Sequence, residues 1–330
     1  MKSHLTVARS AFRARSQGAR QAAVDFRRIS ETVAPRAQHL YPSDRPWFGN
    51  GEGVLADGPS RNQGPIMKSL LQALLKEPRT RNLPVDGVDF SIAHREILRS
   101  KPQTQLIFES FYRLALALED KHCRADSGAR WEVGSGAGFL GEFEPGIITS
   151  DIKPLPFLDY VCSADALPAE AASIRAIFAF NVFHHLPSPT AFFQELTRVL
   201  KPGGVAILME PAHTPLARLV FPRLFASEGY EPEAPTWDGD TDAGPMSRAN
   251  QAAAYIVFVR DRKLFETKFP ELDIVDVKPH AHVAFLGSGG VNFRALIPSW
   301  AMKPVIEVER LLTPLDSVLG LQQAIVLRRR

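Results

Sequence analysis

The chain has 330 residues, 45% hydrophobic and 23% charged, the proportions of a globular protein rather than of a disordered one. With 39 Lys and Arg against 36 Asp and Glu the net charge is +3, too small to argue for a nucleic-acid partner. Two cysteines without C-x-x-C spacing exclude a disulfide framework and a cysteine zinc site, and the absence of a long apolar run excludes a membrane helix and a secretory signal, so a soluble, cytoplasmic protein is expected.

In chain order, residues 1–63 combine a basic start with scattered prolines and glycines and read as a tail. Residues 64–103 read as a helical cap: in GPIMKSLLQALLKEP the residues Ile66, Leu70, Leu71, Leu74 and Leu75 share one helical face, which Pro78 ends. A second helix is expected over 104–120, with Ile107, Phe111, Leu114 and Leu118 on its buried face.

From Ala129 short apolar runs alternate with turn signals, the pattern of a doubly wound α/β sheet. Strands are expected at 129–133, 146–150, 159–163, 175–180 and 204–209. Between the last two, Ser188 is the N-cap and Pro189 the first residue of a helix whose buried stripe is Phe192, Phe193, Leu196, Val199 and Leu200, stopped by Pro202, Gly203 and Gly204. Residues 211–250 read as an irregular insertion; a helix near 249–268, a strand near 272–284, a helical stretch near 290–312 and a strand near 321–328 complete the chain.

The segment WEVGSGAGFL at 131–140 runs a strand into Gly134, Gly136 and Gly138 and then into a helix start. Glycines at alternate positions let the backbone turn sharply and approach a ligand, and the helix N-terminus after them favours an anionic group. Glu132 adds an acceptor suited to an ammonium group. Gly136, Gly138 and Gly141 also satisfy G-x-G-x-x-G, the dinucleotide fingerprint, and Asp151 at the end of GIITSD suits a ribose in either reading. The discriminating signals come later: Asp165 after the third strand, AFNVFHHL after the fourth and RVLKPGG ahead of the fifth.

With these motifs in this order, residues 129–210 resemble the class I S-adenosylmethionine-dependent methyltransferases, in particular the bacterial group called methyltransferase type 11. The resemblance implies a Rossmann-like, doubly wound seven-stranded sheet over 104–330, with an antiparallel edge hairpin and a helical N-terminal extension. It implies that Gly134, Ser135, Gly136 and Gly138 line the methionyl end of S-adenosylmethionine, with Glu132 near its ammonium group. Asp151 would hold the ribose, Ile152 the adenine face, Asp165 the adenine amino group and Ala166 its backbone contact. Asn181 to His185 would face the methyl group and a small-molecule acceptor. His184 and His185 are the candidates to deprotonate or orient that acceptor, or to wall its pocket.

Two departures from the resembled pattern stand out. Only Ile152 to Tyr160 link the second and third strands, interrupted by Pro154 and Pro156, so an extended crossover is expected in place of a helix. No Asn-Pro-Pro-Tyr or Asp-Pro-Pro-Tyr sequence follows the fourth strand, which argues against a nucleobase acceptor. Asp238 to Asp242 begins like a calcium loop, but Ala243 and Ala249 stand where a glycine and a bidentate glutamate are required, and no other motif requires a metal. GSGG at 287–290 reads as a turn, and Tyr230, Trp237 and Trp300 as pocket-shaping or packing aromatics. The competing functions are a nicotinamide-dependent oxidoreductase, for which no Tyr-x-x-x-Lys pair is present near the fourth or fifth strand, and a non-catalytic S-adenosylmethionine-binding protein.

Overall fold

The computed structural model describes residues 75–225, 228–239, 244, 246 and 248–330. The tail at 1–63, the helix expected over 66–75 save its last residue, and Asp240 to Ala243 lie outside the described residues. The chain divides between Lys76 and Glu77, and everything below concerns the unit Glu77–Arg330.

Its centre is a seven-stranded sheet in the order β3-β2-β1-β4-β5-β7-β6. The strands are β1 (Ala129–Val133), β2 (Ile147–Asp151), β3 (Tyr160–Val161), β4 (Ile174–Phe180), β5 (Leu200–Pro211), β6 (Leu272–His280) and β7 (Gln322–Arg329). β1 to β5 pair in parallel, and β7 lies antiparallel between β5 and β6. The chain order reverses between β1 and β4, so a crevice opens at their carboxyl ends, where open α/β sheets take their ligands. β4 reads IRAIFAF and is buried along most of its length, as a parallel strand covered on both faces must be.

The helices among the described residues include α1 (Val88–Ser100), α2 (Pro102–His122), α3 (Leu140–Phe143), α4 (Pro189–Val199), α5 (Pro215–Leu224), α6 (Arg262–Lys268), α7 (Val283–Ser288) and α8 (Ser299–Glu309). Tyr112 and Leu118 of α2 pack with Leu140, Phe178, Ile207 and Val326 into the core on one side of the sheet. An aromatic cluster holds α4 and α6 together: Phe193 lies 4.9 Å from Phe265 and 5.8 Å from Phe258 between ring centroids. The Ser188 hydroxyl caps α4 by accepting from Ala191 N at 3.1 Å, with Pro189 in the first turn.

Several elements differ from the sequence reading. The insertion at 211–250 contains α5, capped by the Thr214 hydroxyl, which accepts from Ala217 N at 3.1 Å. Pro215 starts that helix, and Pro222 sits near its end. The helix expected near 249–268 is broken by a π-turn over Ile256–Arg260, closed by Asp261 N donating to Ile256 O at 2.8 Å. The strand expected to reach 284 stops at His280 because Ala281 adopts φ +59° and α7 follows. α7 is closed by Gly289 in the left-handed region, φ +72°, so GSGG is a helix stop and turn. The crossover at 152–159 carries no helix, as the prolines require.

Candidate functional site

β1 delivers its carboxyl end into a glycine turn whose three glycines serve different purposes. At Gly134, φ +60°, a Cβ would lie 2.5 Å from Val182 Cγ2, so the absence of a side chain lets the β4 loop close over the turn. At Gly138 a Cβ would meet Ser135 O at 2.9 Å. At Gly136, φ +48°, the nearest atoms to a Cβ would be 3.8 and 3.9 Å away, so this glycine supplies a left-handed bend beside open space.

The helix expected after the turn is a single turn, α3, ended by Glu144, Pro145 and Gly146, so it offers little dipole to an anion. Support comes from the N-terminal helices instead. The Tyr112 hydroxyl on α2 accepts from Phe139 N at 3.0 Å. Arg95 on α1 donates to Gly138 O and pairs with Glu142.

Glu132 lies beneath this turn with 2% exposure, and its Oε2 has no hydrogen-bond partner. Burial pushes its carboxyl up to about 8, against a Ser135 hydrogen bond that works downward. A buried carboxyl oxygen left without a donor carries a desolvation cost that a hydrogen-bond partner would relieve. Asp151, at the end of β2, accepts from Gly136 N at 2.9 Å and from Lys153 N at 2.8 Å, which fixes its carboxylate against the turn. Burial raises its pKa too, with those two N–H groups opposing.

Ser135 belongs to the same cradle: its N donates to Ser150 O at 2.8 Å and its hydroxyl accepts from Ser150 N at 3.2 Å. Ile152, the next residue after Asp151, is 59% exposed, an apolar side chain offered at the strand's end. Asp165 is half-buried and Ala166 exposed, on a separate turn after β3 that Ala166 N closes by donating to Ser163 O at 3.1 Å. Asn181 ends β4 with φ +54° and donates its N–H to Met209 O at 2.7 Å, a conformation Asn tolerates better than other non-glycine residues.

His184 and His185 follow on a 3-10 turn, Phe183–His185, and their rings stand 4.1 Å apart. They differ in surroundings, His185 being half-buried and His184 buried. His184 Nδ1 lies 2.5 Å from Glu210 Oε2, and Glu210 also accepts from Val182 N at 2.9 Å and Phe183 N at 2.8 Å. On its other side His184 Nε2 lies 3.7 Å from Glu228 Oε2. Burial opposes charge on His184, but the two carboxylates outweigh it and raise its pKa to about 9. With a proton held that tightly, His184 does not act as a free neutral base near neutral pH.

Arg95, Tyr112, Glu210 and Glu228 were not singled out by the sequence reading. Only Glu210 had a local signal, a lone acid closing the apolar run VAILMEP of β5. Among the aromatics, Tyr230 pairs its hydroxyl with His213 Nδ1 at 2.7 Å, Trp237 donates to Asp261 Oδ2 at 2.9 Å, and Trp300 is 81% exposed.

Residues 147–208, from β2 to the middle of β5, match the family model described as methyltransferase domain, the type 11 group. No curated protein matches the chain by sequence. Solved structures similar to it include YcgJ from Bacillus subtilis, at 15% identity over 66% of this chain and 98% of that one with a TM-score of 0.37. Geranyl diphosphate C-methyltransferase from Streptomyces coelicolor A3(2) is similar at 11% identity over 78% of this chain and 88% of that one, TM-score 0.40. Phosphoethanolamine N-methyltransferase 2 from Haemonchus contortus is similar at 12% identity over 75% and 58%, TM-score 0.40. At those values the likenesses add nothing to what the sheet order and the family match carry. Residues 147–208 thus match a methyltransferase-domain family, within a seven-stranded mixed sheet that has the class I methyltransferase fold.

Proposed function

We propose that the protein transfers a methyl group from S-adenosylmethionine to a small-molecule acceptor by in-line displacement. The observation that carries this reading is Glu132, a buried carboxyl under the glycine turn whose Oε1 would lie 3.6 Å from a Cβ at Gly138 and whose Oε2 has no partner. A cationic amine is the group that completes it. S-adenosylmethionine, when bound, supplies a methyl group on a sulfonium centre.

In this reading Glu132 takes the ammonium group, while Gly134, Ser135, Gly136 and Gly138 carry the methionyl end. Asp151 holds the ribose hydroxyls, Ile152 lies against the adenine, and Asp165 with Ala166 meets the adenine edge. Asn181 borders the methyl group. The acceptor enters beside the turn after β4, and its proton leaves where His184, His185 and Glu228 gather. The main contribution of the protein is alignment, since holding a nucleophile in line with the methyl carbon removes much of the entropic barrier.

Isothermal titration with S-adenosylmethionine and, separately, NADH tests the reading on the wild type, Glu132→Gln and Asp151→Ala. Binding of S-adenosylmethionine that falls about tenfold or more in each variant is expected, that being the scale of a lost charge-assisted hydrogen bond. Binding of NADH alone would overturn the reading in favour of the overlapping dinucleotide register.

A further inference from the structure

We infer that His184, His185 and Glu228 form a site for one divalent transition-metal ion at the acceptor end of the sheet. One ligand atom from each of the three lies within 4.8 Å of the others. The 3.7 Å between His184 Nε2 and Glu228 Oε2 is too long for a hydrogen bond. It suits two donors that each stand about 2.0–2.2 Å from a shared ion.

His184 carries the strongest part of the case. Its side chain is 2% exposed, and its Nε2 has no hydrogen-bond partner. Its Nδ1 faces Glu210, which already accepts two backbone N–H groups. A carboxylate can only accept, so Nδ1 carries a proton and Nε2 is the nitrogen turned toward Glu228. A carboxylate that orients a histidine through its far nitrogen is the usual outer support of a metal-bound imidazole. A plain ion pair of His184 with both carboxylates accounts for the 2.5 Å contact to Glu210, but reaches Glu228 only at 3.7 Å, without a hydrogen bond. Without an ion, a proton occupies the same nitrogen.

Two imidazoles and one carboxylate suit Zn2+ or a neighbouring first-row ion rather than Mg2+, which prefers oxygen donors, and they leave a position open. That open position selects an acceptor with an ionisable hydroxyl, whose pKa a bound cation lowers. The acceptor O–H bond breaks and its proton passes to water. The freed oxygen pair forms the bond to the methyl carbon as the carbon–sulfur bond breaks, and S-adenosylhomocysteine leaves with the carbon–sulfur bonding pair on sulfur. This role rests on the methyl-transfer reading; the metal site does not.

The test uses full-length, chelator-treated protein titrated with Zn2+ and with Co2+, following metal content and the visible ligand-field bands of bound cobalt. Glu228→Gln and His185→Ala change partly exposed side chains, and circular dichroism checks their fold. One ion per chain is expected, with affinity lower by about tenfold or more in each variant. No binding, equal binding in both folded variants, or displacement of Co2+ by equimolar Mg2+ would overturn the site. Titration of the same ion-free protein with S-adenosylmethionine separates the two readings: cofactor binding together with failure of the metal titration overturns the metal site alone, and metal binding together with no cofactor binding overturns methyl transfer alone.

Discussion

Glu132 on β1 and Glu210 on β5 are 2% and 0% exposed at the same edge of one sheet, yet their surroundings treat them in opposite ways. Glu210 is supplied with Val182 N, Phe183 N and His184 Nδ1, and so ties the end of β5 to the turn after β4. Glu132 keeps an oxygen with no partner, and its carboxyl is pushed up to about 8. A buried acid that is saturated holds the fold together. One left short of donors stores free energy that a cationic ligand releases.

The largest way to break this comparison is Glu210→Ala, which strands three donors in the interior. Chemical denaturation should register a loss of about 3–5 kcal/mol. Glu132→Gln should act the other way. Between pH 4.5 and about 8 the folded carboxyl keeps a proton that the unfolded one loses, so wild-type stability falls as pH rises through that window. The glutamine variant should lack this slope, gaining on the order of a few kcal/mol relative to wild type by its upper end. Denaturation curves across pH would show it, and parallel wild-type and variant profiles would count against a Glu132 whose Oε2 lacks a partner.

The two regions meet at Gly134, where Val182 packs against the turn. Gly134→Ala adds a clash at 2.5 Å to a φ of +60°, and should cost about 2–4 kcal/mol. Gly136→Ala, at φ +48° beside open space, should cost only about 1–2 kcal/mol yet weaken cofactor binding more. Thermal melts and titration of both variants sharpen that contrast. Smallest is Tyr112→Phe, which removes the acceptor for Phe139 N and should cost about 1 kcal/mol in a thermal melt.

Much of the structure of the proposed cofactor half was legible because its signals are local. Strand, glycine turn, Asp151 and the Ser188–Pro189 helix start each occupy a few consecutive residues. The acceptor half was not, because its groups come from distant parts of the chain. Glu228 lies beyond α5, in a stretch whose prolines read as breakers although Pro215 and Thr214 are a helix start. The supports of the glycine turn were missed for the same reason: Arg95 and Tyr112 sit 43 and 27 residues from the backbone groups they bond. The one-turn α3 differs from the expected helix because Pro145 and Gly146 follow its last turn too closely.

The central claim is that Glu132 waits as a protonated acid for a cation, and proton linkage tests it directly. Titration of S-adenosylmethionine into wild type at about pH 7, in buffers of different ionisation enthalpy, counts the protons exchanged on binding. Release of roughly one proton is expected from wild type, and none from Glu132→Gln, since the raised carboxyl must ionise against the ammonium group. Tight binding to wild type with no proton released, or with a proton taken up, would contradict it.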